Sequence, residues 1–305
     1  MLAKIRKTGK GIRKNLGLYV MFAIPFIWYL VFKYAPMYGI QIAFRRFNPT
    51  LGITGSPWVG LTYFKQFFES YYFTDILWNT ISLSVFTMLI GFPVPILLAL
   101  LINEIKNVKF KKLIQNITYI PNFLSVVVIV SMLTLFSNSD YGLFNKITGL
   151  FGIAPMDFMS KPALFQPLYV FSNVWQFMGF NAIIYIAALS SVDQELYEAA
   201  SIDGATRLQK IIHISIPCIM STIIVLFIMR IGSLMSVGFE KVYLMQNSVT
   251  LSASEVISTF IYKNGIQKGQ FSYSTAVGLF NSVINFVLLI SANFASKKLT
   301  KTSLW

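Results

Sequence analysis

The sequence predicts an all-α polytopic membrane protein with six transmembrane helices, and three observations carry that expectation. Only 12% of the 305 residues are charged, against 55% hydrophobic, where a soluble domain carries about 25% charged residues. Mean hydropathy is +0.65. Six apolar runs reach the length of about 20 residues that a helix needs to cross a bilayer, and none shows the two-residue alternation of barrel strands.

The first run, 16–35, follows a basic tail holding Lys4, Arg6, Lys7, Lys10, Arg13 and Lys14. It is too long for a secretory leader, and Lys33-Tyr34-Ala35-Pro36 offers no small-x-small cleavage site, so it reads as a retained helix. Lys33 lies near its outer end and can snorkel. The second run, 76–102, is followed by Lys106, Lys109, Lys111 and Lys112. The third, 113–136, reads as one crossing. The fourth, 167–190, carries several amides inside an apolar setting. The fifth, 217–237, opens on Pro217, which suits the first turn of a helix. The sixth, 274–296, stops before Lys297, Lys298 and Lys301.

Lys and Arg concentrate on the cytoplasmic side of a membrane protein. The side holding both tails carries fifteen of the 25, and the opposite side carries eight. Both termini are therefore expected inside. Residues 1–15 form a basic cytoplasmic tail, 16–296 the six-helix domain, and 297–305 a second cytoplasmic tail. The net charge of +14 is thus mostly orientation, and the N-terminal tail is expected to meet anionic lipid headgroups, not nucleic acid.

Several chemistries are excluded. A single cysteine, Cys218, forbids an internal disulfide, and a single histidine, His213, leaves no Cys/His cluster for a metal. No G-x-x-x-x-G-K-[ST] sequence occurs; Gly9-Lys10-Gly11 runs into Ile12 and Arg13. The chain is not expected to hydrolyse ATP or to hold a cofactor, and no catalytic residue is assigned. No Asp or Glu lies well inside any span, which argues against proton or sodium coupling. Neither a His pair, a Ser–Lys dyad nor paired carboxylates appear in the spans, so an intramembrane enzyme ranks last. The outer segment from Met37 to Asp75 is rich in aromatic residues, as an interfacial belt is; a docking surface for an outside partner is the sharper reading.

One inner loop, 191–217, stands apart. It holds four of the 11 acids: Asp193, Glu195, Glu198 and Asp203. Ser191 with Gln194 forms a capping-box pattern that predicts a helix from about Val192. Gly204 sits where a left-handed terminator belongs. Thr206 with Gln209 repeats the capping box and opens a second short helix. The expected product is a capped helix–turn–helix knob whose small residues permit close approach by another surface.

The knob also carries a resemblance. Glu198-Ala199-Ala200, three residues, Gly204, nine residues, then Ile214-Ser215-Ile216-Pro217 resembles the EAA motif of ABC importer permeases, with Ile216 in place of Leu. Other stretches are similar to the polysaccharide or complex-oligosaccharide subgroup of the carbohydrate uptake class. They include Tyr119-Ile120-Pro121-Asn122-Phe123, where Asn122 stands for the usual His. Gly238-Phe239-Glu240-Lys241-Val242 and the terminal Ser303-Leu304-Trp305 belong with them.

The resemblance implies a type I importer fold, multi-pass in a bacterial cell membrane, with a Gram-positive cell expected. It implies a second permease subunit, two ATPase subunits that bind ATP and Mg, and an extracellular solute-binding lipoprotein. It further implies that Glu198, Ala199, Ala200, Asp203 and Gly204 contact the ATPase, with Ile214 and Pro217 anchoring the knob. A peptide or amino-acid importer is the nearest rival, because type I permeases share the EAA loop, and a secondary transporter is more distant.

Polar residues inside spans are candidates for a sugar path. They are Asn173, Gln176 and Asn181 in the fourth span, with Trp175 and Tyr185 beside them, Arg230 in the fifth, and Asn281 and Asn285 in the sixth. Amides also join helices without touching substrate. For Arg230 an ion pair or carbonyl contact inside the complex is preferred to sugar contact.

Overall fold

The computed structural model describes residues 15–300 and 302–304. Nearly all of the basic tail lies outside them, as do Lys301 and Trp305. The described chain is helical, with two isolated bridges, Arg45–Trp58 and Asn48–Gly52, and no longer strand. Five helices are long and apolar enough to cross a membrane, or six if one bent pair counts as a single span.

The first long helix, α1 (Leu16–Phe44), outruns the expected 16–35. Pro36 has no N–H to give, and the ladder re-registers around it through a π turn at Leu30–Tyr34 into a tighter 3-10 turn. No residue between Leu16 and Tyr34 is buried by the rest of the chain. Only the far end of α1, at Ala43, is covered, where it packs on the last helix.

The aromatic segment after α1 then folds back on itself. Arg45 donates through Nη1 to the carbonyls of Thr54 (3.1 Å) and Ser56 (2.8 Å). Its guanidinium lies 5.5 Å over the Trp58 ring. In α2 (Thr62–Phe68), Phe67 is fully buried among Phe73, Phe260, Tyr273 and Phe280. Part of the aromatic run is therefore core, while Trp58, Tyr71 and Tyr72 stay exposed.

The second span is α3 (Phe73–Asn103), long and apolar as expected. The third is not one straight crossing. α4 (Val108–Phe123) and α5 (Val126–Ser137) meet at 98°. Pro121 tightens the end of α4, Leu124 and Ser125 are extended, and Ser125 caps α5 by accepting from the Val128 N–H at 3.3 Å. A capped helix start inside a continuous apolar run is what bends it. A short α6 (Leu143–Gly149) leads to α7 (Pro162–Ser190), the hub of the fold, which packs against α3, α4 and the fifth span.

The knob's first helix, α8 (Gln194–Ile202), is followed by α9 (Arg207–Ile231). The expected fifth span, 217–237, is corrected at both ends. Pro217 does not open a separate helix, because a π turn at Ile211–Ser215 absorbs its missing N–H and keeps α9 continuous. α9 ends at Ile231, so residues 232–237 lie beyond it. Short helices α10 (Phe239–Met245) and α11 (Ile257–Tyr262) precede α12 (Phe271–Thr300), the last span.

Helices α4 and α7 pack tightly at Gly179. A Cβ placed there would lie 2.1 Å from the Thr118 carbonyl oxygen, so only glycine fits. Small residues at crossings are how membrane helices gain close packing.

Candidate coupling loop and cavity

The knob is built from local capping. Asp193, not the expected Ser191, caps α8, its carboxylate accepting from the Glu195 N–H at 3.0 Å. The Ser191 hydroxyl instead donates to the Ala188 carbonyl at the end of α7. α8 stops because Gly204 takes φ +76°, which lets the Ala205 N–H reach back to the Ala200 carbonyl at 2.9 Å. The Thr206–Gln209 capping box is present in both directions, with bonds of 3.3 and 2.7 Å.

Two further bonds lock the hairpin: Lys210 Nζ donates to Ser201 Oγ (2.6 Å), and the Tyr197 hydroxyl meets Ser215 Oγ (2.9 Å). Ile214 is half-buried against the cluster of Leu189, Val192 and Ile219. Pro217 is exposed, so it shapes the helix and does not wedge into the core.

Glu198, Ala199, Asp203 and Gly204 all face outward, with Ala200 half-buried. The knob also presents two large apolar side chains that sequence reading passed over. Ile202 is 88% exposed and Leu208 64%. Exposed apolar side chains beside small residues, on a rigidly capped hairpin, form a surface suited to burial in a partner's cleft. The signal in the sequence was an isoleucine placed next to the Asp203-Gly204 turn.

The candidate path residues divide. A cavity of 480 Å³ opens between α3, α7, α9 and the segment after α9, and Asn173, Asn181, Tyr185 and Arg230 line it. The other four lie elsewhere. Trp175 faces an apolar cavity with Ile129, Leu168 and Phe171. Gln176 is buried and donates to the Leu124 carbonyl at 3.2 Å, satisfying the bend between α4 and α5. Asn285 ties α12 to the segment after α9, accepting from the Met235 N–H (2.9 Å) and donating to Ser236 Oγ (3.0 Å). Asn281 keeps a buried Oδ1 with no partner.

Arg230 lies in the last turn of α9, where the helix's carbonyl end favours a cation. Its side chain makes no hydrogen bond or ion pair among the described residues; the ion pairs there are Lys65–Glu69 and Lys263–Glu255. The cavity wall also includes Tyr169 and Phe177. With Asn173, Asn181 and Tyr185 they complete an unbroken i, i+4 row along α7.

Just outside the cavity, Lys241 on α10 is 4% exposed. Its ammonium lies 5.7 Å over the Tyr169 ring and 3.5 Å from Gln176 Oε1. With no carboxylate beside it, burial pushes its pKa down to about 8.

A helical bundle with five or six membrane-length apolar helices, one capped hairpin and a polar cavity among its spans has the architecture of a membrane permease. The chain belongs to the family of binding-protein-dependent transport system inner membrane components, whose pattern matches residues 91–301. It is 41% identical to Protein LplB of Bacillus subtilis over 99% of this chain and 97% of that protein. It is 44% identical to the polygalacturonan/rhamnogalacturonan transport system permease protein YteP of the same organism, over 92% and 88%. It also resembles a chain in the crystal structure of a bacterial ABC transporter involved in the import of the acidic polysaccharide alginate. The TM-score is 0.88 at 38% identity, covering 96% of this chain and 99% of that one.

Proposed function

We propose that this chain is one permease subunit of an ATP-driven importer of oligosaccharides or polysaccharide fragments. It pairs with a second permease across a translocation path. Two ATPase subunits beneath it bind ATP and Mg, and an extracellular solute-binding protein, a lipoprotein in a Gram-positive cell, delivers the sugar. Both termini and the knob face the cytoplasm. Membership of the binding-protein-dependent family supports the delivery step. The names of relatives, including the arabinooligosaccharide permease AraP of Bacillus subtilis, support the saccharide class.

The observation that carries the coupling role is the knob, a hairpin fixed by caps and side-chain bonds on which Glu198, Ala199, Ile202, Asp203 and Gly204 are exposed. A rigid lever transmits force only if it cannot unwind, and these caps hold both ends of α8. Closure of the ATPase pair would pull on the knob and tilt α7 and α9, which it joins, between two arrangements of the bundle. Affinity copurification from the native membrane tests the assembly. Recovery of a second permease, an ATPase and a binding protein, with sugar-stimulated ATP turnover lost in Gly204→Asp, is expected. Recovery of the chain alone, with sugar uptake insensitive to ATP depletion, would contradict the reading.

A further inference from the structure

Arg230 has no counter-charge among the described residues. No Asp or Glu lines its cavity, and the guanidinium finds no acceptor among the described residues. An uncompensated cation inside a membrane protein marks a place where an anion belongs. Its surroundings select which anion. Down one wall runs the α7 row Tyr169, Asn173, Phe177, Asn181, Tyr185, alternating aromatic faces with amides over about 24 Å of helix at 1.5 Å per residue. Aromatic faces take the apolar faces of sugar rings, and amides exchange hydrogen bonds with hydroxyls. The cavity's 480 Å³ falls within the range of about 300–1,000 Å³ typical of small-molecule sites. An inorganic anion would use the guanidinium and leave that row idle.

We propose that this cavity is a subsite for an acidic saccharide, with Arg230 receiving the carboxylate of a uronic-acid unit while the α7 row receives the neutral parts of the chain. A planar guanidinium and a carboxylate match in a two-point, charge-assisted pair. Arg230 and Tyr169 stand toward the start of α7 and the end of α9, and Tyr185 toward the opposite end. In the orientation proposed above, the carboxylate contact is therefore the first that an incoming chain meets. Lys241, with its ammonium 5.7 Å over the Tyr169 ring, adds positive potential to the same end.

This inference rests on the saccharide reading, and the test separates the two. The complete transporter is reconstituted in proteoliposomes with its ATPase and binding protein. Uptake is measured for trisaccharides of galacturonic, mannuronic and glucuronic acid, each beside the counterpart with its carboxyls reduced to alcohols. ATP-dependent preference for at least one acidic trisaccharide is expected. That preference falls by at least about ten-fold in Arg230→Gln and is partly retained in Arg230→Lys, with both variants assembling to wild-type yield.

Preference for the neutral forms, or an acidic preference unchanged in Arg230→Gln, overturns the subsite and leaves the importer reading standing. Equal loss of both forms in Arg230→Gln also overturns it, by assigning Arg230 to an ion pair with the second permease. ATP-dependent uptake of no saccharide at all overturns both.

Discussion

Replacing Gly179 by alanine puts a methyl group into the crossing of α4 and α7. The added Cβ would sit 2.1 Å from the Thr118 carbonyl oxygen and 2.9 Å from its Cβ. Ordinary contact needs about 3.5 Å, so the two helices must part by about 1.4 Å. The obstacle is backbone, which cannot rotate aside. Overpacking of this kind costs about 1–3 kcal/mol. The same displacement stretches the Gln176–Leu124 bond, already 3.2 Å, and its loss adds about 1 kcal/mol. A total of about 2–4 kcal/mol corresponds to a melting midpoint lower by about 5–15 °C.

The assay is thermal inactivation of the detergent-solubilised transporter, followed by size-exclusion recovery, with two internal comparisons. Gly232→Ala meets the side chain of Leu289, at 2.6 Å from its Cδ1, which can turn away. Gly39→Ala meets nothing within 4 Å. The expected order of destabilisation is Gly179, then Gly232, then Gly39. A Gly179→Ala transporter that melts with Gly39→Ala would refute the close-crossing argument.

Four other outcomes follow from the same contacts. Gln176→Leu leaves the Leu124 carbonyl unsatisfied at the bend and should destabilise the chain by about 1–3 kcal/mol in the same melting assay; an unchanged midpoint would remove Gln176 from the bend. Gly204→Ala must hold a side chain at φ +76°, costing about 1–2 kcal/mol, and Gly204→Asn should recover much of that loss when proteolysis of the knob is timed. Ile202→Asp is expected to leave the melting midpoint in place, since the side chain is 88% exposed, while lowering sugar-stimulated ATP turnover; turnover equal to wild type would free Ile202 from the contact. For Lys241, the unfolded chain keeps its proton up to the ordinary 10.5 while the folded chain releases it at about 8. The unfolded state therefore binds more protons between those values, and this residue's contribution to stability rises with pH across that window; Lys241→Met should flatten the rise in a pH series of melts.

How much of this was legible in the sequence depended on the range of the interaction that decides each feature. The knob was readable because its determinants are local: Gly204 must be left-handed, and Thr206 with Gln209 closes a box over three residues. Even there, Asp193 displaced Ser191 as the cap, because the Ser191 hydroxyl is spent on the Ala188 carbonyl. The long spans were readable from apolarity. The 98° break between α4 and α5 was not, because hydrophobicity runs unbroken across it and only Pro121 and Ser125 hint at it.

The cavity was half legible. Asn173, Asn181, Tyr185 and Arg230 stood out as polar groups in apolar runs. Tyr169 and Phe177 follow from the i, i+4 spacing once that row is traced. Gln176 and Asn285, equally polar, turned out to satisfy backbone groups of other segments, which no spacing reveals. Lys241 looked like any loop cation, and its burial is a product of tertiary packing alone.

The central claim is that the knob is the point where ATP-driven motion enters this chain. Because Cys218 is the sole cysteine, a Cys218→Ser background allows single-cysteine cross-linking on the assembled transporter. Cysteine is introduced by Ala199→Cys or Ile202→Cys in the knob and, as a comparison, by Tyr71→Cys on the opposite side. The account predicts that both knob positions cross-link to the ATPase subunit, that yield changes between nucleotide-free and ATP-bound states, and that Tyr71→Cys gives none. ATPase cross-links absent from the knob, or equal from Tyr71→Cys, would contradict it.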